Sequence, residues 1–220
     1  MSEVDDITTK RAPARPRVPQ AERSALMKAR LCKAAFELIR DHGYVNFRTA
    51  AVTKHAGVSQ GAHLHHFPTK DSLALATMQY AYEQTTAASL EFIAQLPADA
   101  EPVAAMLDDA KHFFLSAHFR VALDILMAGG SDEGFRQHLV NLTVKYRGRV
   151  ERAWLEKLVD AGWPLAAAED MLAMTFSLVR GFAMRLLVDP DPDAFERIFE
   201  RWKLLAGQCR QVLQAPLPPR

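Results

Sequence analysis

Cysteine is nearly absent: Cys32 and Cys209 are the only two in 220 residues. They lie far apart in helical-looking segments and match no metal or redox spacing, so the expectation is two reduced, packed side chains and no disulfide framework. Long apolar runs are missing as well. None approaches the roughly 18 residues that a bilayer-spanning helix needs. The start, "MSEVDDITTKRAPARPRVP", is polar and rich in Pro and Arg, without an apolar stretch of the signal-peptide kind. These absences predict a cytoplasmic chain with no membrane partner. Alternating strand patterns and internal repeats are also lacking, which leaves helices. Residues 71–220 offer no nucleophile with a base placed by spacing, no phosphate-cradling glycine loop and no paired ligands on a helix. Neither an enzyme nor a cofactor is expected.

What is present is an ordinary apolar content of 49% and a net charge of +1 that hides an asymmetry. Residues 1–70 carry 12 Lys and Arg against 6 Asp and Glu, whereas residues 71–220 carry 15 against 20. Five of the eight histidines also fall in the first stretch. A basic first third joined to an acidic remainder suggests that the first third meets a polyanion. The acidity of residues 71–220 argues against a nucleoid-type protein, which would be basic throughout.

Residues 1–20, with prolines at 13, 16 and 19, read as a flexible basic tail in which Arg11, Arg15 and Arg17 could reach a minor groove. From Ala21 the periodicity turns helical, with Leu31, Ala34, Ala35, Leu38, Phe36 and Ile39 facing inward, until Gly43 stops the helix. Thr49 is expected to cap a short second helix ending near Ala56. Gly57 supplies a turn, Ser59 caps a third helix, Pro68 ends it, and Asp71 caps a fourth running towards Leu96. Further amphipathic segments occupy roughly 101–118, 120–129, 132–161, 165–188 and 191–213, divided by Gly, Pro and Asp. Gly148, inside the third of these, weakens it by about 1 kcal/mol relative to Ala. The expected fold is all-α with about nine helices. Residues 21–70 would form a three-helix DNA-binding domain, and 71–220 a larger helical domain for effector binding and dimerisation.

The segment "TAAVTKHAGVSQGAHLHHFPTKDSL" reads as helix, tight glycine turn, helix, the spacing of a helix-turn-helix. Val52 and Val58 can pack its two helices together, Ala51 and Ala56 allow close approach, and Gly61 and Ala62 leave a face shallow enough for base edges. A metal site built on His63, His65 and His66 is the rival reading. Positions 63 and 66 share a helix face, but no Cys, Asp or Glu of suitable spacing lies within the segment and Pro68 breaks the helix.

This segment resembles the DNA-binding unit of the TetR family of transcriptional regulators: a threonine-led helix, "AGVS", a glycine, "HHF", a short Pro-Thr-Lys link and an acidic helix start, in order. The resemblance covers about 50 residues from Ala21; the later helices are similar to the family's ligand-binding domain in number and length. It implies that Thr49 and Lys54 meet phosphates, that Ser59, Gln60, Gly61 and Ala62 lie against base edges, and that His65, His66 and Lys70 grip the backbone. Leu64 stands where the family often has a tyrosine, preceded by His63. Either Leu64 turns inward and His63 outward, which we favour, or Leu64 touches a thymine methyl. Gln60 has the chemistry to read adenine, a contact worth roughly 1–3 kcal/mol of discrimination.

In the larger part, Phe113, Phe114, Phe119, Met127, Trp154, Trp163, Met171, Met174 and Phe176 cluster in the middle helices. Such stripes usually build core. The resemblance implies in addition a pocket for a small, largely apolar effector, lined by Phe113, Phe119, Met127, Trp154, Met171 and Met174, with His112, His118 and Asp124 as polar contacts. The last two segments carry apolar residues on more than one side, including Leu172, Val179, Phe182, Leu186, Phe199 and Trp202. That width predicts a four-helix bundle with a second copy of the chain. A homodimer reading a palindrome on double-stranded DNA, probed by an effector that releases it as a repressor, is the resulting expectation.

Overall fold

The computed structural model describes residues 19–129, 132–189 and 191–213, with side chains through residue 208. The proposed arginine arm at 11–17 and the side chain of Cys209 lie outside the described residues. Nine helices and no strand occur among those described: α1 Gln20–His42, α2 Thr49–Ala56, α3 Gln60–His66, α4 Lys70–Ala94, α5 Pro102–Phe114, α6 Ala117–Ala128, α7 Glu133–Asp160, α8 Leu165–Arg185 and α9 Pro192–Leu213. None of them is long and apolar enough to cross a membrane.

Local chemistry explains most boundaries. Side chains of Ser59, Thr69, Glu101, Ser116 and Asp132 each accept a hydrogen bond from the first turn of the helix that follows, and Pro102 takes the N1 position of α5. Two expected caps are displaced. Arg48, not Thr49, occupies the N-cap of α2, and Thr49 is already helical. Thr69, not Asp71, caps α4 through a reciprocal pair with Ser72, and Asp71 sits in the first turn, where its charge suits the helix dipole. Gly43 and Gly57 adopt φ of 78° and 63°, conformations that other residues enter only at a cost. Gly148 does not interrupt α7, which runs unbroken through 28 residues.

α1 packs against α2, α4 and α6, α4 lies along α7, and α5 is held between α8 and α9. α4 therefore runs from the three short-range helices into the larger helical body. Its inward residues Leu73, Ala74, Met78 and Ala81 are buried with Leu31 and Ile39 of α1 and Ile125 of α6. A polar tie crosses the interior. Asp109 accepts from Ser89 Oγ at 2.6 Å and from Trp154 Nε1 at 2.7 Å, joining α4, α5 and α7. Cys32 is free and buried, and desolvation pushes its thiol up to about 12.

Candidate nucleic-acid interface

Two helices and the glycine between them set the geometry. Val52 is wholly buried and Val58 packs against the same core, so α2 and α3 are clamped by the pair expected to do so. Gly57 then turns the chain, and Ser59 Oγ accepts from Ala62 N at 3.2 Å to start α3. Helical periodicity divides α3 cleanly. His63 and Phe67, four residues apart, are buried; Gln60, Gly61, Leu64 and His65 form the exposed stripe.

That division overturns the favoured orientation of this helix. His63 is 1% exposed and Leu64 is 49% exposed, so His63 cannot reach DNA and Leu64 stands on the outer face. Both ring nitrogens of His63 are buried without a partner, and desolvation lowers its pKa, which keeps the ring neutral. The three histidines do not converge: His65 and His66 lie edge to face at 5.1 Å between centroids, while His63 is buried with neither ring nitrogen partnered. Among the described residues no group of three His, Cys, Asp or Glu is arranged to hold a metal ion.

The other expected contacts sit where a duplex can reach them, in differing degree. Lys54, Ser59, Gln60, Gly61 and His65 are exposed; Thr49, Ala62, His66 and Lys70 are half-buried. A Cβ built on Gly61 would meet nothing within 4 Å, so nothing inside the molecule demands glycine there. Gln60 Oε1 accepts a long bond, 3.4 Å, from Thr53 Oγ1, which tethers the side chain to α2. Lys70 lies with Nζ 4.3 Å from the Tyr44 ring centroid and 3.5 Å from the Tyr44 carbonyl oxygen. Burial, then the neighbouring Arg48, lowers its pKa from the ordinary lysine range.

Sequence reasoning missed Arg48 and Tyr44. Arg48 is exposed beside α2 and braces the turn by donating to the carbonyls of Val45 and Phe47 at 2.7 and 3.0 Å. Tyr44 is buried, stacks on Phe47, and has its phenol pushed up to about 12 by burial and by Asp71. Its backbone N–H donates to Asp124 Oδ2 at 2.6 Å, a contact between the α1–α2 turn and α6 across 80 residues. The signal for Arg48 was its place as a basic residue directly before the second helix, and nothing local signals Asp124.

Asp124 is therefore engaged at this junction and not in the interior. The other expected pocket residues scatter. A cavity of ≈230 Å³ among α4 to α8 is lined by Phe113 and Phe119, with Tyr82, Phe114, Arg147 and Arg180. His112 is exposed, bonds the Asp108 carbonyl oxygen at 2.8 Å, and borders a separate space of ≈160 Å³. Met127 is exposed on a third, of ≈400 Å³, and His118 tilts over Phe36 at 4.8 Å between centroids. Trp154 and Met171 are solid core and Met174 lies on the surface, so none of these three lines the ≈230 Å³ cavity. Arg147, which the sequence reading passed over, is 6% exposed.

Comparison with known proteins agrees with this geometry. A family model described as "Bacterial regulatory proteins, tetR family" matches residues 31–77, spanning α2, α3 and their flanks. The HTH-type transcriptional regulator CymR of Pseudomonas putida is 41% identical over 179 residues, 81% of this chain and 88% of the relative. The chain belongs to the TetR family of transcriptional regulators. Solved structures share the fold. A transcriptional regulator from Pseudomonas aeruginosa PAO1 matches with a TM-score of 0.64 at 20% identity, covering 90% of this chain and 96% of that one. Another from Rhodococcus sp. Rha1 matches with a TM-score of 0.63 at 23% identity, covering 87% and 99%. In this TetR-family chain, α2 and α3 are the DNA-binding helix-turn-helix.

Proposed function

We propose that this regulator is a repressor that binds a palindromic operator as a homodimer and is released by a small, largely apolar effector. Residues 21–70 act as the DNA-binding domain and residues 71–220 as the effector and dimerisation domain. The observation that carries the reading is the outer stripe of α3: Gln60, Gly61, Leu64 and His65 are exposed, and the glycine faces open space. Glycine inside a helix costs about 0.5–1 kcal/mol relative to Ala, and close approach to base edges is a use for it. Gln60 is suited to adenine and Leu64 to a thymine methyl. Lys54, Arg48, His65, His66 and Lys70 supply phosphate contacts, which fix register without reading sequence.

Dimerisation rests on α8 and α9. Val179 and Phe199 are wholly buried within one chain, so they serve the monomer and not the interface. Leu172, Phe182, Leu186 and Trp202 are half-buried; Phe182 packs on Phe195 and Phe199, and Trp202 Nε1 donates to Thr175 Oγ1 at 3.0 Å. The apolar surface left exposed on these helices includes Met174, Leu204 and Leu205, and Gly181 and Gly207 face open space. Two reading units held this way would meet half-sites about one turn of DNA apart, or a multiple. A monomeric mass in light scattering at micromolar concentration would remove this part of the proposal.

Coupling would run through α4 and α6. Tyr82 of α4 and Leu123 of α6 line the ≈230 Å³ cavity, while Lys70 and Asp124 of the same helices hold Tyr44 beside the helix-turn-helix. A ligand that prefers one position of these helices shifts the reading units, and only its differential affinity supplies the energy. Mobility-shift titration tests the interface. Lys70→Ala should weaken binding to every duplex and flatten its salt dependence, whereas Gln60→Ala should relax sequence preference. Parental affinity in both variants would refute the assignment.

A further inference from the structure

We propose that the cavity among α4, α5, α6, α7 and α8 takes a small aromatic carboxylate whose carboxyl group pairs with the Arg147 guanidinium. The proposal rests on the effector-responsive reading above and names the class of effector. Arg147 carries it: 6% exposed, with both terminal guanidinium nitrogens buried and without a hydrogen-bond partner. An arginine does not shed its proton to escape such a site. Buried charges are otherwise paired, so a permanent, unpaired one lining a cavity marks the place of an absent anion.

Among the described residues no side chain fills that role. Asp109 exerts the strongest acidic pull on Arg147, but its two oxygens already accept from Ser89 and Trp154. Glu151 and Arg180 also line the cavity, and with Arg147 they leave one positive charge in excess. Asp109, behind the wall, offsets that surplus in charge but leaves both terminal nitrogens of Arg147 without a hydrogen bond, and a monoanion in the cavity supplies it. The Arg147 guanidinium carbon lies 3.9 Å from the Phe113 ring centroid, so that ring covers part of the group, while both terminal nitrogens lack a partner and are left for a forked contact. A carboxylate matches that fork with two parallel hydrogen bonds.

The remaining walls select the body of the ligand. Phe113, Phe114 and Phe119 meet edge to face, with centroids 4.9 to 5.6 Å apart, and offer ring surfaces. Thr143 Oγ1 donates to the Leu139 carbonyl oxygen at 2.9 Å and lies 3.2 Å from Tyr82 OH, so the two hydroxyls are engaged and make no call for a second polar group. An apolar cavity of about 150 Å³ accepts benzene. At ≈230 Å³ this one has room for a single ring with a short substituent.

The test is thermal melting of the full chain without DNA, in millimolar benzoate, phenylacetate or cinnamate, each beside its primary amide. At least one acid should raise the midpoint in a concentration-dependent way while the amides do not. Arg147→Met should keep or raise the midpoint of the free protein and abolish the response to acid. No response to any acid, equal responses to acids and amides, or a full acid response in Arg147→Met overturns the proposal. Should that variant not fold, Arg147→Lys keeps the charge and loses the fork: at least tenfold weaker acid binding is expected, and unchanged binding overturns the idea. A parallel operator titration separates the two readings. An acid that raises the midpoint without releasing DNA retains this site and removes the effector role; release by the amides alone retains the effector role and removes this ligand class.

Discussion

His63 and Arg147 bury the same kind of defect in the two parts of the chain, unpaired nitrogens in a dry interior. They resolve it differently. His63 sits in the packed centre of the helix-turn-helix beside Phe67, and its ring becomes neutral because burial lowers its pKa. It lines none of the cavities described above, and its unmet nitrogens are a cost of folding. Arg147 keeps its charge and lines a cavity. An orphaned polar group is thus a structural expense where nothing can enter and a ligand handle where something can.

Several substitutions would break or sharpen that contrast. The largest effect is expected at Asp109. Asp109→Ala strands Ser89 and Trp154 and removes the strongest acidic influence on Arg147, and should cost about 3 kcal/mol in denaturant unfolding, as loss of one partner in a buried network does. A loss under about 1 kcal/mol would mean that Arg147 is not short of negative charge. Next comes His63→Leu, which replaces the unpaired ring with an apolar side chain and should stabilise the fold by roughly 1–3 kcal/mol. If instead it destabilises, His63 has a partner and the contrast fails.

The same histidine gives a pH signature. Its folded pKa lies below the ordinary value of 6.5, so the folded state binds fewer protons than the unfolded one. Stability should be fully present above pH 6.5 and fall as pH drops through the folded pKa, with a shallower fall in His63→Leu. Equal slopes in parent and variant would assign the acid sensitivity elsewhere, such as His66 or His118, whose pKa values burial also lowers. The smallest effect separates two glycines. Gly61→Ala should gain about 0.5–1 kcal/mol in the free protein and lose duplex affinity. Gly57→Ala, forced into a left-handed conformation, should lose about 1 kcal/mol or more. Gain of stability at Gly61 without loss of DNA binding would move the reading face off α3.

The helix-turn-helix was legible because its signals are local: Gly57, Ser59 and Pro68 act on their immediate neighbours, and α2 and α3 begin and end within a residue of expectation. Cap positions slipped by a residue or two because Thr49, Thr69 and Asp71 are all competent caps. The orientation of α3 was misjudged on side-chain polarity, although Phe67, four residues after His63, already belonged to the core and placed His63 with it. The cavity was harder to read. Aromatic and methionine stripes do not reveal which members face each other and which face a void, so Trp154 and Met171 were grouped with Phe113 and Phe119. Arg147 looked like a surface residue by type, yet it falls in the stripe Leu139, Thr143, Arg147, Val150, Trp154 that α7 turns inward. The tie from Asp124 to Tyr44 spans 80 residues and has no local signature.

The central claim is that the outer stripe of α3 reads duplex DNA two copies at a time. Selecting bound fragments from a random duplex library with the purified full chain tests it most directly. The account predicts an inverted repeat with half-site centres about one helical turn apart, or a multiple. Recovery of unrelated fragments with no shared motif would contradict it.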